Sequence, residues 1–244
     1  MLDLRIKPQN AFPGRAPRLN RAHPLFSQGH TVFAGVARGK GIFDLVSGTF
    51  NGGVNTLGGS DENGPFVYTL STDTGGSGQC SFSPTGATNF SFISWGVIFK
   101  LPAGGGRGWP IALNTNTGLW LVGQSLAYEL SNGNYWTPVG IAGHTYFAFA
   151  NNAVGSAVLQ KTAVLFDMTT GQVQTNRSAS AGNINASPIS INGPAGTFQG
   201  PQRTYCAFAT ASALVPPAVQ PAPCFYSIDQ IMAGVKDPWG LWYG

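Results

Sequence analysis

The chain has 244 residues, of which 43% are hydrophobic, 12% aromatic and only 9% charged, with 34 glycines and 17 prolines. That apolar content excludes an intrinsically disordered chain, and no run reaches the roughly 18 apolar residues needed to cross a membrane as a helix. The net charge of +4 lies wholly within residues 1–21, where Arg5, Lys7, Arg15, Arg18 and Arg21 stand against Asp3 alone.

In chain order, residues 1–18 carry Pro8, Pro13 and Pro17 without apolar periodicity, which predicts an extended, polyproline-like basic arm. Such an arm docks on acidic partners or on nucleic acid. The segment Leu19-Asn20-Arg21-Ala22-His23-Pro24-Leu25 and the polar turn Ser27-Gln28-Gly29 then lead into two expected strands, 31–37 and 42–46. Between them, Arg38-Gly39-Lys40-Gly41 does not make a phosphate loop. The glycine spacing is one residue short, Gly follows the lysine where Ser or Thr is needed, and no helix follows. Residues 51–64 read as a Gly/Asn-rich loop and 66–70 as a strand.

Residues 90–99 form the longest apolar run, with large side chains at both parities. A strand of that pattern is covered on both faces. Residues 110–113, 119–122 and 126–130 read as a meander joined by Asn/Gly turns, with a further turn at Ser131-Asn132-Gly133-Asn134. Strands are also expected at 145–150, 163–167, 172–175, 189–191 and 204–209, the hairpin between 167 and 172 being closed by Met168-Thr169-Thr170-Gly171. One helix is signalled. Ser227 and Gln230 fit a capping box, Ile228, Ile231, Met232 and Val235 make one apolar stripe, and Asp237-Pro238 ends it. High turn density with one helix predicts an all-β chain. The odd set Cys80, Cys206 and Cys224 lacks metal-ligand spacing, which fits small buried hydrophobes.

The segment Arg21-Ala22-His23-Pro24-Leu25 ahead of the first strand, the core strand containing Phe92-Ile93-Ser94-Trp95, and the helix followed by Asp237-Pro238-Trp239 together resemble the laminin-G/concanavalin-A-like jelly rolls of tailed-phage particles. The resemblance implies an antiparallel β-sandwich of jelly-roll type over residues 19–244. The first and last strands would be neighbours, the two chain ends would close one domain, and an extended arm, residues 1–18, would precede it. It further implies a structural virion protein, a capsid decoration or cement protein assembled in the host cytoplasm. Its expected partners are other virion subunits, the major capsid protein foremost, and further copies of itself, without nucleic acid or membrane. Arg5, Lys7, Arg15, Arg18 and Arg21 are the expected partner-binding residues. The alternative is a carbohydrate-binding module of a tail or fibre, in which Trp109, Tyr135 and Trp136 at loop edges stack on host glycans.

Catalysis is not expected. Glycoside hydrolysis needs two carboxylates flanking the bond, and the chain's two glutamates, Glu62 and Glu129, do not alternate with an aspartate on one strand. No G-x-S-x-G elbow occurs. His23, His30 and His144 are not spaced as metal ligands, and His23 reads as a packing and hydrogen-bonding residue. Asp61, Asn63 and Asp73 lack the alternation of a calcium loop, so no cofactor is assigned.

Overall fold

The computed structural model describes residues 16–25, 30–53, 56–69, 80–83, 92–101, 106–114, 117–123, 125–131, 134–153, 160–179, 189–191, 202–211 and 228–243. In chain order these form β1 (His30–Arg38), β2 (Gly41–Asp44), β3 (Phe50–Asn51), β4 (Thr56–Asp61), β5 (Gly64–Thr69), β6 (Cys80–Phe82), β7 (Phe92–Lys100) and β8 (Gly106–Asn114). They continue with β9 (Thr117–Gly123), β10 (Ser125–Ser131), β11 (Asn134–Trp136), β12 (Thr145–Ala153), β13 (Gln160–Asp167), β14 (Val173–Ala179), β15 (Ile189–Ile191) and β16 (Arg203–Ala211). Two short helices close the chain, α1 (Ile228–Lys236) and α2 (Gly240–Tyr243).

The strands build an antiparallel β-sandwich. A ten-stranded sheet runs β14-β13-β12-β7-β16-β1-β2-β3, with β5 pairing the start of β16 and β4 pairing β5. A six-stranded sheet runs β11-β10-β9-β8-β15-β6. Strand β16, the last in sequence, sits between β7 and β1, so Val36, Cys206 and Ile98 lie side by side across three strands.

Alternation along the strands decides what each face buries. Trp95, Val97 and Phe99 of β7, with Tyr146 and Ala148 of β12 and Leu165 of β13, point toward the smaller sheet. There they meet Ile111, Leu113, Leu119, Leu126, Tyr128 and Ile191. Trp95 stacks on Tyr128 at 5.7 Å, and the Tyr128 hydroxyl crosses the interface to donate to the Val164 carbonyl at 2.8 Å. The intervening residues Ile98, Phe147, Phe149, Val164 and Phe208 form a second apolar face on the outside of the large sheet. It is covered by residues 19–25 and the two helices, through Leu25, Ile231, Val235, Leu241 and Trp242. The large sheet is therefore the middle of three layers, which explains why residues 92–99 are apolar at both parities.

Two hairpins use the same device. Asp44, at the end of β2, is buried and accepts from the amides of Ala34 (2.9 Å), Val46 (3.1 Å) and Ser47 (3.2 Å) and from the Ser47 hydroxyl (2.6 Å). Asp167, at the end of β13, accepts from the amides of Thr169 (2.9 Å) and Thr170 (3.2 Å). Each turn closes four residues later on a glycine in the left-handed region, Gly48 at φ 72° and Gly171 at φ 78°. That conformation is strained for side chains with a Cβ.

Several sequence expectations need correction. Residues 51–64 are not one loop, because β3 and β4 fall in or beside them, read poorly from Thr-Leu-Gly-Gly-Ser-Asp. Strand β4 packs so tightly on the β1–β2 turn that a Cβ at Gly58 would collide with the Gly39 carbonyl. The segment around 134–136 is an edge strand, not a loop edge. A second helix, α2, follows the single one expected. Helix α1 itself ends at Lys236, ahead of Asp237-Pro238 as read. The Ser227 cap and Cys224 lie outside the described residues, while Cys80 and Cys206 are buried free thiols.

Candidate functional site

Residues 18 and 20 are fixed by helix α2. Arg18 bridges Tyr243 in a parallel pairing, its amide donating to the Trp242 carbonyl at 2.6 Å. The Asn20 amide donates to Leu241 O and its side-chain Nδ2 to Gly240 O, both at 3.0 Å. These carbonyls belong to the last turn of the chain, where helical carbonyls have no partner in their own helix. The backbone of Arg18, expected within the arm, is thus tied to α2. Residues 18–21 belong to the folded body by their backbone, and Leu19 packs on the outer core. The side chains of Arg18 and Arg21 stay exposed. Arg5, Lys7 and Arg15 lie outside the described residues.

His23 carries the same junction. It is only 4% exposed, with Nε2 3.0 Å from the Asp237 carbonyl and Nδ1 3.2 Å from the Leu25 amide. A carbonyl accepts only and an amide donates only, so the proton sits on Nε2 and the lone pair on Nδ1. Burial pushes the imidazole below its ordinary pKa, against the opposing pull of the Asp237 carbonyl and carboxylate. The expectation of a packing and hydrogen-bonding role for His23 agrees with this geometry. Next to it Leu25 sits against Gly234 of α1, where any Cβ would lie 2.4 Å from Leu25 Cγ.

A polar cluster that local sequence patterns did not reveal lies where β4–β5, β7, β12, β13 and β16 meet. Asp61 Oδ2 accepts from Arg203 Nη1 at 2.6 Å and from the Tyr205 hydroxyl at 2.9 Å. The Arg203 guanidinium also stacks over Phe66, 4.7 Å from the ring centroid. Its pKa is raised, first by the Asp61 hydrogen bond. Tyr205 is pushed far above its ordinary value, first by burial and then by the Asp61 charge. Glu62 pairs with Lys100, which lowers the Glu62 carboxyl. Asn63 Nδ2 donates to Thr145 Oγ1 at 3.2 Å, and His144 Nδ1 lies 2.8 Å from Asp167 Oδ2. Each of these carboxylates is already engaged by protein donors. Among the described residues no group of three His, Cys, Asp or Glu side chains is placed to hold a metal ion. Asp61, Glu62, Asn63 and His144 are the members that the sequence singles out; the partners of Asp61 stand 142 and 144 positions away.

The three aromatics of the glycan reading are in strands of the smaller sheet, Trp109 in β8 and Tyr135 and Trp136 in β11. Trp136 is half-buried on the inner core, its ring 4.9 Å from that of Tyr128. The side chains of Trp109 and Tyr135, and that of Glu129, lie outside the description.

No protein-family model matches the chain, and no curated protein does. Among solved structures it is similar to domain 4 of AbnA, a GH43 extracellular arabinanase from Geobacillus stearothermophilus, in complex with arabinotriose. The TM-score is 0.46 at 9% identity, over 77% of this chain and 96% of that one. A likeness of that size bears on neither substrate nor activity.

Proposed function

We propose that the chain is a non-catalytic structural protein of tailed-phage particles that decorates the shell, its basic N-terminal arm docking on acidic groups of a neighbouring virion subunit. One observation carries the reading. The two short motifs on which the resemblance rests, Arg21 to Leu25 and Asp237 to Trp239, meet through the His23–Asp237 bond, and the adjoining Asn20 adds two bonds to Gly240 and Leu241. Their residues thus act as one structural unit that holds the root of the arm. The charge distribution supports the same role, since the whole net charge lies in residues 1–21 and the body is neutral. Exposed ion pairs are worth about 0–1 kcal/mol each, so attachment needs several at once and many copies on one shell. The glycan alternative has less support, because one face of Trp136 is taken up by Tyr128.

Truncation tests it, and the cut belongs ahead of Arg18 to spare the body's own backbone bonds. A chain lacking residues 1–15 is expected to keep its melting temperature and lose co-sedimentation with undecorated shells. Full occupancy of shells by the truncated protein overturns the arm's role.

A further inference from the structure

We propose that His23 is an acid-released latch: neutral, it clamps residues 18–25 onto the C-terminal helices, and protonated it lets that segment detach while the sandwich stays folded. This holds whether or not the arm docks on a shell.

The geometry leaves the imidazole one tolerated state. Nε2–H supplies the Asp237 carbonyl, and the Nδ1 lone pair takes the Leu25 amide. A second proton has to go on Nδ1, where it meets the Leu25 N–H head on, donor against donor. The bond is lost, and a cation is left in a site with 4% exposure. Asp237 is the carboxylate close enough to favour the imidazolium, but burial has the larger effect. That carboxylate is also turned to the Gly240 amide, 3.3 Å away. The charged side chains beside it in sequence, Arg21 and Lys236, are exposed and cationic, so they oppose a further positive charge. The outer core below contributes Tyr205, Cys206 and Tyr243, all pushed up by burial and therefore neutral across the acid range.

The backbone and amide ties between segment and helices do not titrate. Three bonds from Arg18 and Asn20 reach carbonyls of 240–242, and Leu25 fills the notch left by Gly234. His23 is therefore the element of the junction through which a proton can act on both of its bonds, to Asp237 and to Leu25. The linkage has a definite sign. The docked pKa lies below the free value of about 6.5, so docking is strongest above that value and weakens as pH falls, roughly tenfold per unit until the docked pKa is passed. Release uncovers Leu25, Trp242 and the outer face beneath them. An acidified particle would thus free the root of the arm before its body unfolds.

Nuclear magnetic resonance of the full chain across pH 8 to 4 tests this. His23 is expected as the Nε2–H tautomer at high pH. Its titration should coincide with a loss of amide-exchange protection at Arg18 and Asn20 of about tenfold per pH unit, while amides of β7 and β12 keep theirs. In His23→Gln, whose carboxamide donates and accepts without titrating, Arg18 and Asn20 should stay protected over the same range. The proposal is overturned if wild-type Arg18 and Asn20 remain protected below the His23 midpoint. It is equally overturned if β7 and β12 lose protection together with them. Should the variant fail to fold, the wild-type comparison of the two sets of amides decides alone.

Discussion

The two faces of the ten-stranded sheet are both apolar and both covered, by opposite means. The inner face meets a second sheet, whose strands are each held by their own ladder of backbone bonds. The outer face meets three short pieces, residues 18–25, α1 and α2, held by seated side chains and a few bonds between the chain ends. Equal burial therefore does not mean equal cooperativity. The inner interface is expected to open only with the global fold and the outer cover to open before it, as local stabilities within one protein commonly differ.

Substitutions on the two faces can break that distinction. The largest effect is expected at Trp95, fully enclosed by the inner core: Trp95→Ala should cost about 3–5 kcal/mol in denaturant unfolding and lower all protection together. A Trp95→Ala chain that loses only the cover would refute the assignment. A smaller and more diagnostic effect is expected at Gly234. Glycine to alanine inside a helix ordinarily gains about 1 kcal/mol, but here the new Cβ collides with Leu25. Gly234→Ala should instead cost about 1–3 kcal/mol, confined to the cover, and should become favourable in a Leu25→Ala background. Additive effects of the two changes would show that Leu25 does not sit in that notch. The smallest effect is expected at Lys100→Ala, which breaks a rim pair whose Glu62 side chain is 57% exposed; about 0–1 kcal/mol, vanishing in high salt, is the expected cost by thermal melting.

Much of this architecture can be read from local pattern, and the remainder depends on strand order. Apolar residues at both parities in 92–99 announce a strand covered twice, and the stripe of Ile231 and Val235 announces a docked helix. The Asp-x-x-x-Gly spacing at 167–171 is legible as a hairpin, and the same spacing at 44–48 does the same work. Strand β4 hides because its Gly58 answers to the Gly39 backbone pressing on it, a neighbour that no local window contains. The pairs Asp61–Arg203 and Asn63–Thr145 hide for the same reason. They depend on β5 reaching β16 and on β7 standing between β16 and β12. The basic composition of residues 1–21 is visible in the sequence, but the backbone bond from Arg18 to Trp242 leaves no trace in residue type.

That bond also sets a timetable. Residues 18 and 242 are separated by almost the whole chain, and β1 waits for β16, more than 170 residues later, before its second neighbour exists. During synthesis Phe147 and Phe149, on the outer face of the large sheet, emerge well before residues 228–243 that cover them. Contacts of such long range close slowly, and bare apolar sheet surface invites association between nascent chains. Translation that stalls before residue 228 would leave a nearly complete sandwich still lacking its cover.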